Sequence, residues 1–482
     1  MGWQLPAPSR SGIRRSKIKS MISAMNYVLY PQAYYNLLEE EIHGPITKLP
    51  PEILGLILER TIPPNFLLDH TAAFCLDSVW KQSMLQKRVL LRICRSWYHV
   101  ASPLLYEHIC ILHIARLQQL LDTLEIPDTK FRFFIKTISF YCLVPSCYAG
   151  RFEVRLDRLY SLCPNAKSFS YLSRCYLPSS TTLSTLPTTI THLQLGRGVS
   201  AAILANVLKT LSPNLAALSF CLPVDNFNAE WDTPLIFPHL GDLSIGLSSP
   251  YALDNFVDWD LRRLKKLTLK YQSVKGVLVA GAGGSSYAFF QKHGRRLEFL
   301  QFLPSLWLDW KLAIDVGGIL ELCPELKHLV LHCTTIAPPM HDRVQWIDVW
   351  ELPPSAANRD RWESVWAGIT KEAFPCLRGV RRISSSLVHF PHVATAFPPG
   401  EVLTDQDTYT YQFGDLYVRH EVGRIEAVYP EPIEEESESD SDLDYVSSEQ
   451  GYDTDWASSL EWEMDSESGI CEDWEAKMDL VE

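Results

Sequence analysis

The chain has 482 residues, more than one ordinary hydrophobic core accommodates, and its 46% apolar content is that of a globular protein. Its net charge of −13 arises at one end, because residues 431–482 hold 20 acidic residues and one basic residue. The whole chain has 57 acidic and 44 basic residues, so residues 1–430 hold 37 acidic and 43 basic ones. No apolar run approaches the length of a membrane span, and residues 1–25 lack the apolar core of a secretory signal, which argues against membrane and secreted proteins.

Residues 1–25 are predicted to form a flexible basic arm. Residues 1–38 contain no acidic residue, and five basic residues fall between Arg10 and Lys19. Mitochondrial transit peptides, nuclear addresses and phosphate-contacting patches share this composition, so those alternatives stay open. The twelve cysteines form no Cys-x-x-Cys pair, and several lie in apolar stretches, which favours a reducing compartment, cytoplasmic or nuclear.

A short amphipathic helix is predicted at residues 49–58. Pro50 and Pro51 suit a first turn whose N–H groups have no intrahelical partner, and Glu52 lies near the positive end of the helix dipole. A wide apolar face follows, made of Ile53, Leu54, Ile57 and Leu58. So short a helix is unstable alone in water, and this face must therefore be buried against another element.

A second amphipathic helix is predicted from Leu90 to Ala101. Its apolar positions recur at helical spacing: Leu90, Ile93, Cys94, Trp97, Val100 and Ala101. A short apolar run, Leu104-Leu105-Tyr106, follows it.

These segments together resemble the F-box, a small helical module that docks onto the adaptor subunit of cullin–RING ubiquitin ligases. The F-box pattern is Leu-Pro-x-Glu-hydrophobic, then hydrophobic-Cys-Arg/Lys-x-Trp, then a hydrophobic run ending in Leu-Tyr, and residues 49–54, 93–97 and 104–106 match it in that order. The intervening residues 61–88 are longer than is usual in the family. The resemblance covers residues 46–110 of a predicted helical module, 26–112. It implies an adaptor-binding surface drawn from Leu49, Pro50, Ile53, Leu54, Ile57, Ile93, Cys94 and Trp97.

Short alternating phrases of the form L-x-x-L-x-L recur beyond residue 110. They begin at residues 135, 166, 190, 215, 240, 264, 297 and 326, so that four consecutive spacings are 24 or 25 residues. Leucine-rich repeats have periods of about 20–29 residues. The segments between phrases are predicted to be helices at residues 156–162, 201–211, 253–258 and 316–322. Several of them end in Leu-x-Pro, and proline cannot continue a helix.

Each such unit leaves an apolar side that only the next unit can cover. Residues 113–340 are therefore predicted to form a leucine-rich-repeat-like α/β solenoid with parallel strands on its concave side. A doubly wound α/β fold is the rival, but its strands read as continuous apolar runs without a fixed period.

The C-terminal part divides in two. Residues 341–428 are predicted to be irregular terminal repeats and a cap, because end units must present a polar outer side. Residues 429–482, rich in Glu, Asp and Ser, are predicted to be a disordered acidic tail. Within it, Ser437, Ser439 and Ser441 each stand three positions before an acidic residue, the pattern that acidophilic kinases favour, and are candidate phosphorylation sites.

No motif points to catalysis, a cofactor or a metal. The Gly-rich residues 281–284 are followed by no P-loop Lys-Ser/Thr and are interpreted as an enlarged loop. His108, Cys110 and His113 have no second ligand pair at zinc-site spacing. We expect neither an enzyme nor a resident cofactor.

The resemblance to F-box proteins with C-terminal leucine-rich repeats, of the fungal type, implies a target-recruiting ligase subunit. Its partners would be a Skp-type adaptor, the cullin and an unidentified target protein; a membrane is not expected and nucleic acid is disfavoured. Candidate target contacts are polar positions within the strand phrases that are expected to be exposed: Thr191, Gln194, Lys265, Thr268, Lys270, Lys327 and His328. The alternative is a leucine-rich-repeat scaffold that binds proteins without a ligase role.

Overall fold

The computed structural model describes residues 49–62, 79–127, 129–142, 144, 148–172, 183, 186–196, 199–222, 234–247, 253, 255–271, 286–303, 316–332, 340–351, 363, 365–384, 387, 393–396, 409–413, 416–421 and 424–428. The predictions for the basic arm, the Gly-rich segment, the acidic tail and the three serines lie outside these residues. Among the described residues, no helix combines the length and the apolar character that crossing a bilayer requires.

The described helices are α1 (Pro51–Thr61), α2 (Val79–Leu90), α3 (Arg95–Tyr106), α4 (Arg116–Glu125), α5 (Phe131–Phe134), α6 (Ala149–Leu162), α7 (Ala201–Leu211), α8 (Ser286–His293), α9 (Val316–Glu321) and α10 (Val393–Ala396). The strands are β1 (His108–Ile111), β2 (Thr137–Phe140), β3 (Ser168–Tyr171), β4 (His192–Leu195), β5 (Ala217–Cys221), β6 (Asp242–Leu247), β7 (Lys266–Tyr271), β8 (Phe299–Leu303), β9 (His328–His332), β10 (Trp346–Trp350), β11 (Gly379–Ile383), β12 (Tyr409–Phe413), β13 (Leu416–Glu421) and β14 (Arg424–Val428).

The strands form one open sheet that follows chain order from β1 to β11 and then runs β14, β13, β12. Twelve strands, β1 to β11 and β14, are parallel to their neighbours, whereas β12, β13 and β14 pair antiparallel. Because consecutive parallel strands always lie side by side, the sheet never reverses its order as a doubly wound sheet does. The α/β class with parallel strands is confirmed, and the topology is consistent with a solenoid.

A repeated hydrogen-bond pattern marks the amino edge of the sheet. The carbonyl one residue before a strand accepts two backbone N–H groups from the next repeat: Glu107 O accepts from Lys136 and Thr137, and Lys265 O accepts from Glu298 and Phe299. The same pattern recurs at each described repeat from β1 to β10. Each repeat is thus fixed to its successor by the same backbone contact, as a nearest-neighbour stack requires.

The helices and one face of the sheet share a single core. Leu121, Leu156 and Leu204 from the helices lie in it with the strand residues Leu193 and Leu218, all 2% exposed or less. Leu218 is followed two residues later by buried Phe220, the period of a strand with one apolar face on the core.

Eight strands, β2 to β9, begin two residues after the start of each predicted phrase. The predicted helix at 201–211 is confirmed as α7, whose Ser200 hydroxyl accepts the Ile203 N–H at 3.4 Å as an N-cap. The predicted helix at 253–258 is wrong. There Phe256 lies in a 3₁₀ turn and Trp259 in a bend, and the two rings meet edge to face with centroids 4.6 Å apart, because a spacing of three also suits a 3₁₀ turn.

The structure also refines the boundary between the helical module and the repeats. The sheet begins at His108, five residues before the predicted start of the solenoid at 113, because the first strand follows directly on α3. The predicted cap contains β10 and β11, which continue the parallel sheet, and β12 to β14, which close it antiparallel.

Candidate functional site

The N-terminal module is built from α1, α2 and α3. Pro51 stands at the first position of α1 and Glu52 in its first turn, as the sequence predicts. Leu54 and Leu58, one turn apart, are 1% and 0% exposed. They share a small core with Leu90 and Ala101. The helix is therefore held by its packing on α3 and not by its intrinsic stability.

The motif residues of the second predicted helix hold this core from the other side. Trp97 and Val100 of α3 are half-buried against it. Cys94 precedes α3 as its N-cap residue, in an extended conformation, and is partly exposed. Trp97 therefore acts through packing on this core, whereas Ile93 and Cys94 precede α3, so the helix predicted from Leu90 to Ala101 begins at Arg95 instead.

The same module leaves large apolar side chains in water. Ile53 is 45% exposed and Ile57 41% exposed on α1, and Ile93, in the turn before α3, is 41% exposed. Leu56 of α1 and Leu85 and Val89 of α2 are exposed as well. We call these six residues the exposed apolar set. On α1, Glu52 and Glu59 stand away from Ile53 and Ile57 at helical spacing, and exposed Leu56 lies between the two pairs.

The predicted adaptor-binding set is thereby divided. Pro50, Ile53, Ile57 and Ile93 are exposed, whereas Leu49 is partly exposed. Leu54 is buried in the module core, and its side chain has no surface to offer a partner in this conformation. Leu54 is therefore a core residue of the module. Sequence reasoning missed Leu56, Leu85 and Val89, although a helical wheel of α1 extends the apolar stripe from Ile53 and Ile57 to Leu56.

The module is joined to the first repeat. Tyr106 of α3 stacks on Phe131 of α5 with ring centroids 4.3 Å apart, and Glu107 pairs with Lys136 at 2.8 Å. Lys87 of α2 is buried, and burial lowers the pKa of its ammonium against the opposing effect of Glu107. The three helices thus cover part of the β1 end of the sheet, a position that also suits a cap.

The face of the sheet opposite the helices carries a row of mostly polar residues at one register level. The strand pairing places them side by side in the order Cys110, Ser139, Ser170, Gln194, Ser219, Ser244, Thr268, Gln301, Val330, Asp348 and Arg381. The Ser170 hydroxyl donates to Gln194 Oε1 at 3.1 Å, a contact between neighbouring repeats. The row is largely covered, since only Cys110, Gln194, Ser219 and Thr268 are partly exposed.

A buried charged cluster ends this row. Arg381 donates from Nε and Nη2 to the two oxygens of Asp348, both at 2.7 Å, and the His328 ring meets Asp348 Oδ2 at 2.8 Å. Arg381 also donates to the carbonyl of Ala394 in α10 at 3.3 Å. Burial raises the pKa of Asp348, but His328 and Arg381 outweigh it and lower that pKa to about 2. The cluster fixes α10 to the sheet.

The candidate target contacts separate into three groups. Gln194, Thr268 and Lys270 lie on the face opposite the core and are partly exposed. His328, predicted to be an exposed contact, is 8% exposed and belongs to the buried cluster, so that prediction is wrong. The remaining three, Thr191, Lys265 and Lys327, stand directly before β4, β7 and β9 at the amino edge.

Within the described part of the chain, no group of three or more His, Cys, Asp or Glu side chains is arranged to hold a metal ion. His108 and Cys110 alternate with Ile109 along β1, and burial raises the pKa of the Cys110 thiol. A protonated thiol is a poor metal ligand and a poor nucleophile.

No protein-family model matches the chain, and no curated protein matches it. Among solved structures, a protein from Bacteroides fragilis, determined as a structural-genomics target, is similar over 54% of this chain and 72% of its own, at 14% identity and a TM-score of 0.30. A similarity of that strength supports no inference about function.

Proposed function

We propose that this chain is the target-recruiting subunit of a cullin–RING ubiquitin ligase. In this proposal the helical module docks a Skp-type adaptor and the α/β repeats hold a protein target. The observation that carries the proposal is the exposed apolar set. It lies on or beside helices in a segment whose sequence matches the F-box pattern in the right order. Chemistry then belongs to the partner subunits, and this chain contributes position and effective concentration.

The energetics favour a partner for the exposed apolar set. Fully burying an exposed isoleucine side chain contributes roughly 1.5–3 kcal/mol. Ile53, Ile57 and Ile93 are 41–45% exposed, so covering the part that is still exposed contributes roughly 0.6–1.4 kcal/mol for each of them. Leu54 and Trp97 of the motif, together with Leu58, pack in the module core and so keep α1 and α3 in place. A docking role and a packing role thus fall on alternate sides of α1.

The experiment is co-expression of the full chain with a Skp-type adaptor, followed by affinity purification. The double variant Ile53→Glu/Ile57→Glu places two carboxylates within the exposed apolar set, and the proposal predicts at least a ~100-fold loss of adaptor affinity. Both positions are exposed, so the module should stay folded, which circular dichroism checks. The matched control is Val154→Glu, a 68% exposed position on α6, which should bind the adaptor as the parent does.

A second candidate is a protein-binding repeat scaffold without a ligase connection. The packing of α3 on α5 and β1, through the Tyr106–Phe131 stack, favours it because a terminal cap would show the same contacts. Adaptor binding separates the two, since a cap gives no complex with the adaptor in either the parent or the variant.

A further inference from the structure

A basic cleft lies at the amino edge of β6 to β9. Its volume is about 590 Å³, and it contains His239, Arg262, Arg263, Lys265, Arg296 and Lys327 together with Glu298 and Glu325. Five permanently basic side chains thus face two carboxylates. The basic residues come from successive repeats, because each strand phrase beginning at residues 264, 297 and 326 is preceded or followed at once by Arg or Lys.

The two carboxylates are already paired. The Glu298 carboxylate forms ion pairs with Lys265 at 2.7 Å and with Lys327 at 2.8 Å, and Glu325 forms one with Arg343 at 2.6 Å. Arg263 and Arg296 are exposed and form no ion pair with any residue that the structure describes. Arg263 instead approaches the His239 ring at 3.5 Å, and Arg296 donates to the backbone carbonyl of Arg262. The guanidinium groups are therefore held in the cleft without a counter-charge of their own.

The chain itself carries matching charge. Residues 431–444 contain eight acidic residues and no basic one. They also include the three candidate phosphorylation sites, at which each phosphate would add about −1.5 to −2 charges. Arginine pairs with carboxylates and phosphates through two parallel hydrogen bonds, a geometry that lysine lacks.

The acidic segment is long enough to reach the cleft. β14 stands next to β11, so four strand spacings of about 4.8 Å, roughly 19 Å, separate it from β8. Val428 ends β14 at the carboxyl edge, and the strand length adds about 17 Å to reach the amino edge. Residues 434–444 lie 6 to 16 residues beyond Val428 in the sequence, which an extended chain converts into roughly 20–55 Å.

We propose that the acidic segment 431–444 of the same chain docks in the basic cleft, with Arg263 and Arg296 as its principal contacts. This intramolecular contact does not depend on the ligase assignment. The tethered segment has an effective concentration in the millimolar range. Another acidic peptide must therefore outcompete it to occupy the cleft. Phosphorylation of Ser437, Ser439 or Ser441 tightens it.

The test uses zero-length carbodiimide cross-linking of the full chain, which joins a lysine amine to a contacting carboxylate, followed by mass spectrometry. Lys265 and Lys327 are the reporters. The expected result is amide links from these lysines to carboxylates in 431–444, weakened several-fold at about 0.5 M salt because that contact is screened. The Lys265–Glu298 link serves as an internal measure of reactivity.

The variant Arg263→Gln/Arg296→Gln should lower the tail cross-links at least ~5-fold while the reporter lysines remain. Its matched control, Arg116→Gln/Arg132→Gln, removes two exposed arginines near the β1 end and should leave the yield unchanged. Equal yields in both variants, or tail cross-links spread over lysines outside the cleft, would overturn the proposal. Links found only between two isotopically distinct copies of the chain would overturn it too, since they assign the cleft to another molecule.

Discussion

The two ends of the molecule invert the usual distribution of residues in opposite ways. At the N-terminal end, Ile53 and Ile57 lie in water although they are large and apolar. At the C-terminal end, Asp348 and Arg381 are 0% and 4% exposed although both are charged. Between them the repeats bury most of their leucines and expose most of their lysines, although Val154 and Ile236 are exposed there and Ser139 and Gln301 are buried.

The difference between the ends shows where an explanation must be sought. The buried charges satisfy each other within the chain through two hydrogen bonds of 2.7 Å, so the fold alone accounts for them. Among the described residues of the module, Leu54 and Leu58 fill the core and the exposed isoleucines lie outside it. An internal pairing accounts for the C-terminal end, whereas at the N-terminal end the proposed adaptor would supply the cover.

Breaking the buried pair should have the largest effect. Arg381→Met removes one partner and leaves the Asp348 carboxylate buried with His328 alone, which is expected to lower the free energy of unfolding by about 3–5 kcal/mol. Urea denaturation measures it. Arg382→Met is the matched control: this exposed neighbour lies over the Trp366 ring at 4.7 Å, and its loss should lower the free energy by no more than about 1 kcal/mol. Similar losses in the two variants would show that the pairing has no special role.

The N-terminal module gives the next largest contrast. Leu54→Ala empties a buried site and should destabilise the module by about 2–5 kcal/mol, whereas Ile53→Ala, one residue away and exposed, should change it by less than about 0.5 kcal/mol. Hydrogen exchange of the amides in α1 and α3 reports both. If Ile53→Ala accelerates exchange as much as Leu54→Ala does, Ile53 is a packing residue and the division of α1 into two sides fails.

The pH dependence of stability sharpens the description of the C-terminal end. The pKa of Asp348 is lowered to about 2 in the folded protein from an ordinary value of 3.8, so its contribution is present above pH 3.8 and is lost as pH falls toward 2. The shift corresponds to roughly 2 kcal/mol. Between pH 2 and pH 3.8, the slope of the free energy of unfolding against pH should be smaller in Asp348→Asn than in the parent, because the variant lacks this titration. An unchanged slope in the variant would mean that Asp348 is not paired as described.

Exposed ion pairs should matter least. Glu298→Gln weakens the contacts with Lys265 and Lys327, all at the surface, and is expected to lower the free energy of unfolding by less than about 1 kcal/mol. Thermal denaturation at low and high salt provides the measurement. A loss near that of Arg381→Met would contradict the view that burial distinguishes the two sets of charges.

The sequence predicts the repeats well because their signal is periodic. Each phrase places apolar side chains two residues apart, and all eight phrases form strands that begin two residues after the start of the phrase. It predicts β10 poorly, because Trp346 and Trp350 belong to a repeat only 18 residues from β9, counted between strand starts. The antiparallel pairs β12–β13 and β13–β14 are local, since only two residues separate each pair of strands in the sequence. The pairing of β14 with β11 spans 40 intervening residues, and no local pattern encodes it.

The candidate site is predictable only in part, for a related reason. A helical motif identifies which residues are apolar, but both sides of α1 are apolar, and only the position of α3 decides that Leu54 is inside and Ile53 outside. The basic cleft has a visible signal, Arg262-Arg263 and Arg295-Arg296 each just before a leucine phrase. That signal becomes a site only when the parallel register brings the repeats together.

Hydrogen exchange on the full chain, alone and with a saturating Skp-type adaptor, tests the central claim most directly. The account predicts a stable complex in which amides of α1 and of the turn around Ile93 gain protection, while those of β2 to β11 do not change. Absence of a complex, or protection confined to the repeats with α1 unaffected, would contradict it.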